Sequence, residues 1–271
     1  MIDVRDVALG YGGCRILAGI SLTIRAGELL ALVGPNGIGK STLLRALGGM
    51  HRVDSGSISI DGRAIDSLGA RERSRLIALI EADGPLPDRM SVSDVVAGGR
   101  LPYRPWWRWS STPQDRAAVD AALDETEIGA LRERRFAELS SGERQRVWIA
   151  QAVAQDTRVL LLDEPTSHLD IRHTFELLAL VRRLVASGKS AVVVLHDLNV
   201  AAAFADRIAL LGTRTLLACD APVRILDEAL LSRVYGIPIA VRREADGSVF
   251  AFALAPARDG FRRTRRESRE V

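Results

Sequence analysis

One short stretch limits what this chain can fold into. Residues Leu29 to Val33 are all apolar and run into GPNGIGKST and then LLRAL, which reads as a buried strand, a glycine-rich loop and a helix. Gly34, Gly39, Lys40 and Ser41 hold the fixed places of the pattern G-x-x-x-x-G-K-[ST], in the strand-to-helix context that gives the pattern its meaning. Glycines at 34, 37 and 39, with Pro35, Asn36 and Ile38 between them, let the backbone curl so that its N–H groups face inward as a nest for phosphate oxygens. The helix that opens with Lys40, Ser41 and Thr42 points its partial positive charge at the same oxygens. Lys40 can reach the β- and γ-phosphates, and the Ser41 hydroxyl can ligate Mg²⁺. Composition agrees: of 37 basic residues only Lys40 and Lys189 are lysines, yet a lysine stands where a compact ammonium must fit a tight loop.

The 271 residues, 47% of them hydrophobic, suffice for one large α/β domain or two small ones. The two cysteines, Cys14 and Cys219, have no metal-ligand spacing and read as reduced residues. The N-terminal MIDVRDV has no apolar core of a secretion signal, and no apolar run approaches the ~18 residues of a membrane span. Net charge is +3, and residues 258–271 alone carry six arginines against three acids, so the rest of the chain is balanced. A nucleic-acid binder should show a basic face on its body, which this composition does not supply. The tail after residue 255 reads as a solvated, disordered end, or alternatively as a patch for anionic lipid or a partner.

Apolar strands recur along the chain: Ile2–Val4 leading into Val7–Leu9, the alternating Ile20-Leu22-Ile24, Ser57–Ile60, Ile77–Ile80, Val159–Leu162, Ala191–Leu195, Ile208–Leu211 and Leu216–Ala218. Helices are expected over Ala70–Leu76, from Ser93-Asp94, from Thr112-Pro113 with Pro at the first helical position, over Glu143–Val153, over Thr174–Ala186 with Phe175 and Leu178 on its apolar stripe, and over Asp227–Tyr235. The order predicts an α/β fold. A mainly parallel sheet is flanked by helices, with an antiparallel N-terminal β region and a helical subdomain over about 82–156, inside a domain spanning 1–255. Within the subdomain, RLPYRPWWRWS interleaves three tryptophans with arginines, as either a docking surface or a small core with cation–π contacts. Tyr11, in GYGG, is either a base-stacking aromatic or a turn residue on the sheet edge.

If the sheet is parallel, the loops after Val33, Leu162 and Leu195 meet at one end. That gathers Lys40, Ser41, Asp163, Glu164 and His196. Asp163 would hold Mg²⁺ beside Ser41, Glu164 would orient and deprotonate the attacking water, and His196 would bond the γ-phosphate and steer Glu164.

Leu139-Ser140-Ser141-Gly142-Glu143-Arg144-Gln145-Arg146 is similar to LSGGE-x-QR, the signature that sets the ATP-binding subunits of ABC transporters apart from other phosphate-loop NTPases. The chain resembles that family over residues ~1 to 240 by motif order. Ser167-His168-Leu169-Asp170 resembles its D-loop, His196 its switch histidine and Tyr11 its adenine-stacking position. The resemblance implies ATP as nucleotide, with Mg²⁺. It implies a second copy whose Ser140, Ser141, Gly142, Glu143 and Asp170 close over the nucleotide held by the first. It also implies membrane permease subunits, and through them a substrate-binding protein, at the cytoplasmic face of the inner membrane. Ser141 replaces the usual glycine, and Ile80-Glu81 stands where the family has Pro-Gln, which makes Glu81 a candidate metal ligand that lacks a donor. GRLPY, VWIAQAVAQDT and LDIRHTFELLALVRRL look most like importers of ferric siderophores, with haem and cobalamin importers near. A soluble ABC ATPase acting on nucleic acid would need a second cassette or a coiled-coil insert, and a phosphotransferase would leave residues 139–146 without a role.

Overall fold

The chain begins with β1 (Ile2–Tyr11), β2 (Cys14–Ile24) and β3 (Leu29–Val33), then α1 (Lys40–Leu47), β4 (Ser55–Ile60), β5 (Arg63–Ala64), α2 (Ala70–Leu76) and β6 (Ile77–Glu81). A helical stretch follows: α3 (Val92–Ala97), α4 (Pro113–Glu125) and α5 (Ser141–Ala154). Next come β7 (Val159–Asp163), α6 (Ile171–Ala186), β8 (Ser190–Val194), α7 (Leu198–Phe204), β9 (Arg207–Gly212) and β10 (Thr215–Asp220). The chain then runs through α8 (Pro222–Ile225), α9 (Glu228–Tyr235), β11 (Ile239–Arg243) and β12 (Val249–Ala253). This computed structural model describes residues 1–81, 87–105, 107 and 110–254. Three features anticipated from sequence therefore lie outside the described residues: the basic tail, the loop at 82–86, and Trp106, Arg108 and Trp109 of the tryptophan segment.

The central sheet has the order β10-β9-β3-β8-β7-β6, parallel except for β10 at one edge. β3, β7 and β8 are buried at every position, because each has a strand on both sides and a covered layer on both faces. Alternation sorts their side chains. Leu29, Ala31, Val33, Leu160, Leu162, Ala191 and Val193 join a core with α5, α6 and α7. Leu30, Leu32, Val159, Leu161, Val192 and Val194 join a second core with α1 and with β1, β2 and β4 of the antiparallel sheet β2-β1-β4-β5. A third core, with Val92, Val96, Val119, Leu123, Phe136 and Val147 among its members, holds α3, α4 and α5 together.

Inside that helical region one carboxylate does three jobs. Asp115 completes a capping box with Thr112 at the start of α4, and it accepts hydrogen bonds from Arg100 and Arg104 at 3.2 Å each. Arg100 also lies over the Tyr103 ring at 4.0 Å, a cation–π contact in the first half of that segment.

Several boundaries differ from the sequence expectation for local reasons. Ser91, not Ser93, caps α3, because its hydroxyl accepts from the Asp94 N–H while Asp94 returns the bond. α6 begins at Ile171 rather than Thr174; Asp170 caps it, and an exposed Ile171 hides the start from an apolar-periodicity argument. Phe175 is also exposed and meets Phe204 edge-on at 5.2 Å instead of joining the buried stripe. α5 starts two residues before Glu143. Sequence reasoning did not anticipate α7, whose run of small residues gives little contrast, or the β11–β12 hairpin.

Candidate functional site

The left-handed backbone at two glycines shapes the loop after β3. Gly34 has φ 148° and an added Cβ would stand 2.5 Å from the Leu211 carbonyl oxygen; Gly39 has φ 105° and its Cβ would meet Ile16 at 2.7 Å. No L side chain fits either place without moving its neighbours. Gly39 is the N-cap of α1 and no side chain caps that helix, so its first turn faces a cavity with polar N–H groups.

The cavity, of about 270 Å³, is lined by Ile16, Asn36, Gly37, Gly39, Lys40, Ser41, Thr42, Glu164 and His196. Its members come from four separate stretches of chain. Lys40, only 4% exposed, donates to the carbonyl oxygens of Gly34 at 2.9 Å and Pro35 at 3.0 Å. Burial pushes its ammonium below the usual lysine range, against the opposing pull of Glu164 and Asp163. The Ser41 hydroxyl donates to Asp163 Oδ1 at 2.9 Å across the sheet. Burial holds the Asp163 carboxyl above its ordinary value, with the Ser41 bond acting the other way and Glu164 adding to the rise.

Glu164 follows Asp163 with φ 48°, a left-handed conformation that a non-glycine residue adopts at a cost of about 1–2 kcal/mol. The strain turns its carboxylate into the cavity, where Oε2 lies 2.8 Å from Nε2 of His196 and 3.4 Å from the Ser167 hydroxyl. A strained acid held by a histidine from the next strand end suits a base that must aim at one water.

The residues that would hold a magnesium ion can be tested on their chemistry. Ser41 and Asp163 offer adjacent hard oxygens, and among the described residues no group of three His, Cys, Asp or Glu gathers to hold a metal. That set fits Mg²⁺, which keeps waters and takes phosphate oxygens instead of a full protein cage. Glu81 is engaged elsewhere: its Oε1 accepts from Arg45 Nε at 2.7 Å, and it does not line the cavity. Tyr11 also stands outside the lining, half exposed with its ring 4.5 Å from that of His51. Ile16 does line the cavity, although sequence reasoning passed over it; the signal available was its place on the strand facing the loop.

The second glycine-serine segment lies elsewhere. Ser140 caps α5, accepting from the Glu143 N–H, while the Glu143 carboxylate accepts from the Ser140 N–H at 2.8 Å and from its hydroxyl at 2.9 Å. Ser141 leads the helix, Gly142 packs beneath His173 so that a Cβ would sit 3.2 Å from the ring, and Asp170 binds His173 through its N–H and Nδ1, both at 2.8 Å. None of these residues lines the cavity of its own chain.

A family model described as ABC transporter matches residues 17–167. The chain belongs to the ABC transporter family. Its relatives in that family include the achromobactin transport ATP-binding protein CbrD of Dickeya dadantii, 40% identical over 87% of this chain and 88% of that protein. The hemin import ATP-binding protein HmuV of Streptomyces coelicolor is 42% identical over 85% of this chain and 81% of that protein. Among solved structures, an inward-facing ABC transporter described as of the metal-chelate type superposes with a TM-score of 0.82 at 27% identity, over 94% of this chain and 97% of that one. The ATP-binding cassette MJ0796, as a dimer bound to ADP and Pi in a post-hydrolysis state, superposes with a TM-score of 0.71 at 27% identity, over 82% and 99%. Among the described residues no helix is long and apolar enough to cross a membrane.

Proposed function

We propose that this chain is the ATP-hydrolysing subunit of an importer for an iron chelate, a ferric siderophore in the first instance and haem as the alternative. The observation that carries the ATPase reading is a single cavity in which Lys40, Ser41, Glu164 and His196 meet, with Asp163 bonded to Ser41. The iron-chelate reading rests on relatives whose names specify achromobactin transport and hemin import.

In this reading the loop amides from Asn36 to Thr42 take the phosphate oxygens, and Lys40 exchanges its bonds to Gly34 and Pro35 for the β- and γ-phosphates. Ser41 and Asp163 hold Mg²⁺, which neutralises charge on the phosphates when bound. Glu164 accepts the proton of the attacking water, and His196 fixes its direction. Tyr11 stacks on the adenine ring after leaving His51.

Ser140, Ser141, Gly142, Glu143 and Asp170 act on the nucleotide of a second copy, which accounts for their not lining the cavity of their own chain. Two copies would sit beneath two permease subunits at the cytoplasmic face of the inner membrane, supplied by a substrate-binding protein. The test is uptake. Cells lacking this gene should lose import of one ferric siderophore or of haem, and regain it with the parent chain but not with Glu164→Gln. Unchanged uptake of ferric chelates, haem and cobalamin would remove the importer reading.

A further inference from the structure

The acid at the end of β6 is in register with the acid at the end of β7: Glu81 pairs with Asp163 in the parallel ladder. Two carboxylates side by side on neighbouring strands repel each other, and Glu81 adds its field to the burial that already disfavours a charged Asp163. Arg45 answers that charge. It lies on α1, the helix that carries Lys40 and Ser41, and its Nε donates to Glu81 Oε1 at 2.7 Å. One side chain on the phosphate-binding helix thus holds the acid at the end of β6.

We infer that Arg45 is a positioning residue: it holds Glu81 off the metal and phosphate positions and cancels its charge beside Asp163, so nucleotide affinity depends on the intact pair. The departure at residue 81 is then compensated within the chain, and Glu81 is a partner of α1 instead of a metal ligand. The inference rests on the reading of this cavity as a Mg–ATP site. Both side chains are partly exposed, 44% for Arg45 and 36% for Glu81, so water moderates the effect.

The experiment is equilibrium binding of Mg–ATP to the full chain, with the thermal midpoint of the nucleotide-free protein measured for each variant. Arg45→Met frees Glu81 and should weaken binding about fivefold, the upper end of what an exposed pair carries. Arg45→Met/Glu81→Gln removes the stranded charge and should return affinity to within about twofold of the parent. Arg45→Lys keeps a cation in place and should also stay within about twofold.

An unchanged or tighter Arg45→Met overturns the inference, and so does a double variant that binds no better than the single one, because Arg45 would then act independently of Glu81. Should Arg45→Met fail to fold, a fivefold loss in a folded Arg45→Lys overturns it as well. A parent chain that binds no Mg–ATP refutes the reading of the site itself, which is a different result.

Discussion

Two helix N-termini in this molecule carry glycine and serine, and they are built in opposite ways. α1 opens at Gly39 with no side-chain cap and no acid in its first turn, and it faces a cavity. α5 opens at Ser140 with a reciprocal capping box, has Glu143 in its first turn, and contributes nothing to the lining of that cavity. The first leaves its donors for a ligand and relies on glycines in left-handed backbone to shape the loop. The second satisfies itself and stays folded whether or not a phosphate is present. A strong phosphate grip in one copy and a weaker, conditional contact from another would follow from that difference. Nucleotide could then bind first and be closed over afterwards.

The sharpest way to break this contrast is at Lys40. Lys40→Ala removes the one buried ammonium from the cavity and should lower turnover at least a hundredfold, with loss of tight ATP binding, read by nucleotide binding and phosphate release. Parent-like behaviour would mean that the uncapped helix end alone holds the nucleotide. Glu164→Gln should come next: it keeps the shape of the strained acid but removes the base. ATP should bind, turnover should fall by about a hundredfold, and a nucleotide-bound dimer should accumulate on size exclusion. Unchanged turnover would remove Glu164 as the base.

Ser140→Ala tests the other helix. Loss of the cap should cost about 1 kcal/mol of stability. ATP affinity of the isolated chain should stay within about twofold, while turnover of the assembled protein falls by about tenfold, the share of one lost charge-facing donor. Equal losses of affinity and turnover would place Ser140 on its own chain's nucleotide and collapse the comparison.

The two ends also differed in how far they could be read from sequence. The loop at 34–42 was legible because close backbone approach leaves glycine almost no substitute, and the acid-ended and histidine-ended strands could be placed once the sheet was parallel. Ser140 and Gly142 could be seen to open a helix, and the Ser-x-x-Glu spacing of Ser140 and Glu143 was a capping-box signal that sequence reasoning passed over, having given both residues to a ligand. The Arg45–Glu81 pair was hidden for another reason: the two are far apart in sequence, and only the packing of α1 near the end of β6 brings them together. The start of α6 was hidden because Ile171, its first residue, is exposed and gives no apolar periodicity to read.

Acid exposes the smallest difference. The bond from the Ser140 N–H is the largest influence holding the Glu143 carboxyl below the usual glutamate range, with help from the Ser140 hydroxyl, Arg134 and His173. A carboxyl whose folded value lies below its unfolded value, about 4.3, contributes stability that is complete above that value. The contribution is lost as pH falls through the lower folded value. Glu143→Gln keeps the shape of the box without its charge, so its stability relative to the parent should be lowest near neutrality and converge on the parent's below about pH 4. Because Glu143 is a third exposed, the gap at neutral pH should stay under about 1 kcal/mol, measured by urea unfolding at a series of pH values. α1 has no acid in its first turn, so its opening turn has no carboxylate whose protonation could shift stability in this way. A gap of the same size at every pH would mean that the signature helix is held by shape, leaving its N–H groups nearly as available to phosphate as those of α1.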